Sequence, residues 1–376
     1  MKKIAVLTGG GDCPGLNNAI KQIVHSGKDK FEIEGITEGW AGAIKIALGG
    51  DRETYTLPLN VEQVRRIDRT GGTILMSSRK NPFNYNNQDL SDEVMKFLNE
   101  NYYALIAIGG EDTLGVAGKL SKKGLRVVGI PKTIDKDLCG TQFTLGFDSA
   151  VDIVWKEIEI LKSTAGSHGL TYFVEIMGRN AGHLTYWSAV AAGAHFVTIP
   201  EVETNYEKLF ERISERKKSL PMKRGYTLDG LRYTMIIVSE GTKLRSIGEI
   251  KKGKTDDHGN TYLGGVAEFL TKNYTEMTGN EARAVVLGHI QRGGAPSFQD
   301  RIRGRILGEE SLKLIRKEYF GRMATIDNYE TGDVSLDQII GRIRVLDADK
   351  CYDQEKFRPI IGKENKIYHE KEIDKS

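Results

Sequence analysis

A threonine and two acids fall close together at Thr133-Ile134-Asp135-Lys136-Asp137, preceded by Lys132 and by the apolar run Arg126–Ile130. A pair of carboxylates with a hydroxyl and two lysines can supply a base, a metal contact and neutralisation of phosphate. A second group lies at Gly109-Gly110-Glu111-Asp112-Thr113, after the apolar run Ala104–Ile108. Two acids suit a divalent cation better than an anion, since magnesium takes one or two carboxylates and completes its shell with water and phosphate oxygens. On its own this loop reads better as an Asp or Thr helix N-cap with a solvated glutamate. A third loop, Gly9-Gly10-Gly11-Asp12-Cys13-Pro14-Gly15, joins the run Lys3–Thr8 to a helical stretch from Leu16. Glycine lets the backbone approach a phosphate, and a helix N-terminus adds free N–H donors. A tight turn without ligand explains a lone glycine run about as well. The loop has neither the Gly-x-Gly-x-x-Gly spacing of a dinucleotide site nor the Gly-Lys-Ser/Thr of a P-loop.

The elements that must position these groups are strands followed by helices. Continuous apolar runs are expected as strands at Lys3–Thr8, Phe31–Ile36, Ala104–Ile108, Arg126–Ile130, Thr171–Met177, Phe196–Ile199, Tyr233–Ser239 and Ala284–Leu287. Runs without alternation fit parallel strands covered by helices on both faces. Helical periodicity marks Ser91–Asn99, Asp148–Leu161, Gly182–Ala192, Tyr206–Arg216 and Gly264–Met277. The fold class is therefore α/β with mostly parallel sheets. All three loops then converge at strand ends, the edge where open parallel sheets bind ligands. Arg216–Arg232 and Ser246–Tyr262 read as surface insertions, and the charged tail beyond Asp347 gives no firm structure.

The chain has 376 residues, enough for about two domains. With 54 Lys+Arg against 51 Asp+Glu its net charge is +3, so nucleic acid and anionic membrane are not expected as partners. No signal peptide or membrane-spanning run is expected, and three separated cysteines give neither a disulfide framework nor a zinc site. A cytoplasmic enzyme is the expectation. Glycine, at 43 residues, exceeds its usual share of about 7% and clusters where phosphate loops would lie.

Taken with Met177-Gly178-Arg179 and Leu287-Gly288-His289-Ile290-Gln291-Arg292-Gly293-Gly294, these loops resemble the 6-phosphofructokinase family, collinearly from Lys3 to about Arg322. The resemblance implies two Rossmann-like domains with the active site in the cleft between them. A phosphoryl-donor domain would comprise residues 1–146 and about 291–345. A sugar-phosphate domain would comprise 147–290 and about 346–376. It also implies phosphoryl transfer to the 1-hydroxyl of fructose 6-phosphate, with Asp135 as base, Thr133 orienting the hydroxyl, and Arg179 and Lys132 stabilising the transferring group. Met177, Gly178, Glu240, His289 and Arg292 match the sugar-phosphate pocket. Arg283 matches an arginine that a neighbouring subunit supplies, which implies a homodimer or homotetramer. Glu111 falls at the position of a magnesium-binding acid, making Mg2+ the expected cofactor, and Asp137 is expected to support the metal or its waters.

ATP-dependent members resemble Gly-Gly-Asp-Gly and Pro-Gly-Thr-Ile-Asp at the second and third loops. Here Asp112 and Lys132 replace the two glycines, a pair that resembles the diphosphate-dependent branch. A carboxylate at Asp112 adds volume and charge where an α-phosphate would pass, and Lys132 offers a point charge to compact diphosphate. Gly10, Arg79, Gly110 and Thr113 are expected to line the same donor site, and the reaction is expected to be reversible.

Three departures qualify the resemblance. Leu170 stands where bacterial members have a phosphate-binding arginine, a loss of about 1.5–3 kcal/mol unless Lys162 or an insertion lysine replaces it. Lys136 replaces an asparagine, with phosphate neutralisation as its one evident use. His195 replaces an effector-site acid, so regulation by ADP is not expected. ATP as donor, sedoheptulose 7-phosphate as acceptor, and a non-catalytic sugar-phosphate-binding subunit are the competing readings.

Overall fold

A computed structural model describes residues 1–219, 233–255, 261–327, 330–362 and 367–373. The expected apolar runs form strands because each side chain finds cover on its own face of a sheet. Ile4, Ala5, Val6 and Leu7 are all fully buried, with Ile4 and Val6 in one core and Ala5 and Leu7 in another on the opposite face. Helices on both sides of a sheet require such unalternating strands.

The first sheet runs in the order Glu330–Ser335, Arg322–Asp327, Val127–Thr133, Ala104–Gly109, Lys2–Thr8, Phe31–Ile36, Thr56–Pro58, with Leu145–Gly146 beside Val127–Thr133. Its interior is parallel, with Ile4 opposite Ala104 and Leu105 opposite Val127, and its two outermost pairs are antiparallel. The second sheet, Ala282–Val286, Thr171–Ile176, Thr234–Ser239, Phe196–Thr198, is wholly parallel. The expected α/β class is what forms. Residues of the first core cluster come from both sheets, and the 22-residue helix Phe147–His168 leads from one sheet to the other.

Asp300 fixes the start of that helix. It accepts from Gly146 N at 2.8 Å, Ser149 N at 2.9 Å and Ser149 Oγ at 2.6 Å. Asp300 belongs to the helix Phe298–Arg316, which lies so close to Leu16–Gly27 that a Cβ on Gly304 would sit 2.8 Å from Asn18 Cβ. Among the described residues no helix is long and apolar enough to cross a membrane.

The helices Trp40–Ala47 and Phe298–Arg316 and the strands Arg322–Asp327, Glu330–Ser335 and Arg342–Leu346 were not expected from the sequence, and the structure differs from expectation elsewhere too. The long helix continues past Leu161 to His168, although Ala165 is the one buried residue of that extension, so the apolar period was too sparse to reveal it. Within Ser246–Tyr262, Lys251–Thr255 and Thr261–Leu263 pair as an antiparallel hairpin; residues 256–260 lie outside the described residues, as do 220–232 of the other insertion. The tail beyond Asp347 is ordered where described. Tyr368–Glu372 pairs with Arg342–Leu346, and Arg358–Pro359 with Tyr352–Asp353. These strands are short and charged, and only their partners distinguish them from coil.

Candidate active site

Every strand that carries a motif ends at the same cleft, of about 1040 Å³. From the first sheet come the loops after Thr8, Gly109 and Thr133. From the second come the turns after Ile176, Ser239 and Val286. The C-terminal edges of parallel strands leave loops and helix N-termini free to face a ligand.

At the end formed by the first sheet, Gly10, Arg79, Gly110, Glu111, Asp112, Thr113 and Lys132 all line the cleft. The first glycine loop is partly spent on its own support. Gly9 N donates to Ile108 O and Gly10 N to Ser78 O, while Ser77 Oγ donates to Gly10 O at 2.6 Å. Lys132 Nζ donates to Gly11 O at 2.5 Å, and the residue is 3% exposed. Burial pushes its ammonium down to about 8, with the thiol of Cys13 opposing and Arg292 and Arg79 reinforcing the shift. Glu111 and Asp112 open the helix Glu111–Lys122, where the helix dipole favours carboxylates. Gly341 N donates to Glu111 Oε1 at 2.9 Å.

Between the two sheets stand Thr133, Asp135, Asp137 and Arg179. Thr133 Oγ1 donates to Asp137 Oδ1 at 3.0 Å and accepts from Asp135 N at 3.1 Å. The threonine therefore ties the two acids into one turn and presents a lone pair, not its proton, to anything else. Asp135 Oδ1 is buried with no hydrogen-bond partner among the described residues. An unpaired buried carboxylate oxygen is costly unless a ligand supplies the missing donor. Burial, followed by the charge of Asp135, raises Asp137 to about 7.

At the second sheet, Met177, Glu240, His289 and Arg292 line the cleft. Gln291, fully buried, accepts from Met177 N at 3.2 Å and donates to Gly288 O at 2.9 Å, which joins the two turns. Burial and then Asp135 raise Glu240 to about 7. Arg292 reaches back to the first loop, donating from Nη1 to Asp12 O at 3.2 Å. A Cβ on Gly11 would lie 2.3 Å from that nitrogen, so the arginine passes only because residue 11 is glycine.

Two expected residues do not line the cleft. Gly178 sits behind it, at φ +131, with its carbonyl accepting from Ser239 Oγ. Arg283 is exposed on Ala282–Val286 and pairs with Glu281. Of the candidate substitutes for the missing arginine at 170, Lys162 does not line the cleft: Leu170 packs against the core, and Lys162 Nζ donates to Glu159 Oε1 and Ala192 O, each at 2.5 Å, while Lys223 of the insertion lies outside the described residues. Lys136, expected to neutralise phosphate, does not line the cleft either. Its Nζ lies over the rings of Phe147 at 4.8 Å, Phe143 at 5.4 Å and Trp187 at 5.8 Å. His195 is held by Met235 N at 2.9 Å and, by burial foremost, pushed down to about 3. Sequence reasoning missed Asp12, Ser77, Ser78, Glu175 and Asn180 in the cleft wall. Of these, Asp12 within the glycine loop carried the clearest signal.

Residues 3–315 match the phosphofructokinase family. A pyrophosphate--fructose 6-phosphate 1-phosphotransferase of Dictyoglomus thermophilum is 43% identical, covering 92% of this chain and 95% of that protein. An ATP-dependent 6-phosphofructokinase 2 of Clostridium perfringens is 35% identical, covering 93% and 94%. The solved structure of phosphofructokinase from Saccharomyces cerevisiae superposes with a TM-score of 0.71 at 26% identity; the match covers 90% of this chain but 45% of that longer one. The collinear motifs, the cleft they build and these likenesses together place the chain in the phosphofructokinase family.

Proposed function

We propose that the protein transfers a phosphoryl group from diphosphate to the 1-hydroxyl of fructose 6-phosphate, giving fructose 1,6-bisphosphate and orthophosphate. Lys132 carries the reading of the donor: an ammonium 3% exposed, bonded to Gly11 O and lining the same end of the cleft as Asp112. A compact, highly charged donor gains from that point charge, whereas a nucleotide's longer chain meets the added carboxylate.

Asp135 takes the proton of the sugar hydroxyl as its oxygen bonds to phosphorus and the bridging P–O bond breaks, releasing orthophosphate. Its unpaired Oδ1 supports that role. Arg179 and Lys132 offset charge on the transferring group, and Thr133 holds the Asp135–Asp137 turn in place. Glu240, Met177, His289 and Arg292, which line the cleft, are assigned to the sugar phosphate, with Gly178 supporting their turn from behind.

Magnesium fits the acids of this cleft. Among the described residues no group of three or more His, Cys, Asp and Glu is gathered to hold a metal unaided, so the suitable ion is one that keeps water and phosphate oxygens in its shell. Glu111 would hold it with support from Asp137, and the ion would neutralise diphosphate charge. Arg283, exposed outside its own cleft, supports a homodimer or homotetramer in which it completes a neighbour's sugar site. Three free cysteines, all buried, suit a reducing cytoplasm. The donor half is assigned to residues 1–146 with about 291–345, and the sugar half to the remainder.

The test compares kcat/KM for fructose 6-phosphate with magnesium and either diphosphate or ATP, with Asp135→Ala as the blank. The expected preference for diphosphate is about 100-fold, equivalent to about 2.7 kcal/mol, with a loss of about 10²–10⁴ in the blank. Preference for ATP would overturn the donor. Higher kcat/KM with sedoheptulose 7-phosphate, which Leu170 makes worth including, would replace the acceptor.

A further inference from the structure

Arg344 lies on the strand Arg342–Leu346, which pairs with Tyr368–Glu372. It is 1% exposed, among the largest fully buried side chains, and it has no acidic hydrogen-bond partner among its described bonds. Its guanidinium is spent on the backbone of a single loop. Nη2 and Nε donate to Lys136 O at 2.8 and 3.2 Å, Nη1 to Thr141 O, and Nη2 also to Gln142 O at 3.3 Å. Its own backbone N donates to Asp137 O at 2.7 Å. The loop so gripped begins at the turn that carries Asp135 and Asp137.

A buried arginine needs a reason to be there, because desolvating a guanidinium is expensive unless its donors are satisfied. Carbonyl groups satisfy it here without neutralising Asp135 or Asp137, as a salt bridge would. The grip is centred on Lys136, whose φ of +56 is one that L side chains rarely adopt. That residue stands between the two acids, and its carbonyl receives two of the arginine's bonds. Arg344's planar fork spans carbonyls 136, 141 and 142 together, which a lysine could not.

We propose that Arg344 is a positioning residue: by clamping the carbonyl of Lys136 within the turn and those of Thr141 and Gln142 after it, it fixes Asp135 against the cleft, making the strand Arg342–Leu346 part of the catalytic apparatus. The proposal rests on the reading of Asp135 as base. It concerns kcat foremost, since Asp135 is assigned to the chemical step while Gly10, Arg79, Glu111, Met177, Glu240, His289 and Arg292 line the cleft from other loops.

The test measures kcat and both KM values of the full-length protein for Arg344→Lys, with folding followed by circular dichroism and thermal melting. A fall in kcat of about 100-fold is expected, with both KM values within about twofold of the parent. A kcat within about twofold of the parent, or a loss carried by KM, overturns the proposal. Should Arg344→Lys not fold, Tyr368→Leu removes the ring 4.6 Å from the guanidinium carbon at a site already 36% exposed. It should lower kcat about fivefold at constant KM, and an unchanged kcat or a raised KM overturns the idea. Asp135→Ala separates the two claims: full activity in that variant sinks the assigned base, whereas an inactive Asp135→Ala beside a normal Arg344→Lys sinks only the clamp.

Discussion

The two ends of the cleft are built to different degrees of completion. At the first sheet, Lys132 is buried and bonded, the glycine loop is braced by Ser77 and Ser78, and Glu111 is steadied by Gly341. At the second sheet, Leu170 belongs to the core, Arg283 is exposed outside the cleft, and His289 is exposed within it. On the proposed function, one chain would supply a rigid cation for a small anion but only part of what a sugar phosphate needs. A donor site completed locally can be tuned by single residues, whereas an acceptor site shared with a neighbour depends on assembly.

The sharpest way to break the comparison is at the rigid end. Lys132→Met should lower kcat/KM for diphosphate about 100-fold, because it removes a desolvated charge of similar length to its replacement. Steady-state kinetics showing less than about fivefold would mean that Lys132 is only a loop support. At the open end, Arg283→Ala should raise KM for fructose 6-phosphate about tenfold and leave that for diphosphate unchanged. Mixing it with Asp135→Ala should restore activity through hybrid assemblies; two variants that stay additive would show that Arg283 serves no neighbour.

The smallest effect is in pH. Lys132 is held down at about 8 by burial first, so it is charged below that value and neutral above it. kcat/KM for diphosphate should fall about threefold between about pH 7.5 and about pH 8.5. Lys132→Met should lack this alkaline limb, and a limb that survives the substitution would assign it to another group.

Strand positions were legible because a doubly covered strand announces itself as an unbroken apolar run, and each such run formed a strand within a few residues. Lys132, Thr133 and Asp135 were legible because strand-end chemistry is local. Lys136 was not, since its use depends on Phe143, Phe147 and Trp187, the last of them on a helix that arrives from the other sheet.

The sequence by itself determined the α/β class, the motif loops and their place at strand ends, because apolar period and turn chemistry act over a few residues. Only the tertiary structure decided that Lys136 faces an aromatic box, that Arg283 points outside its own cleft, and that Arg344 grips a loop about two hundred positions away. Those outcomes are set by which strands become neighbours, and a carbonyl waiting for a distant guanidinium leaves no mark on the residues beside it.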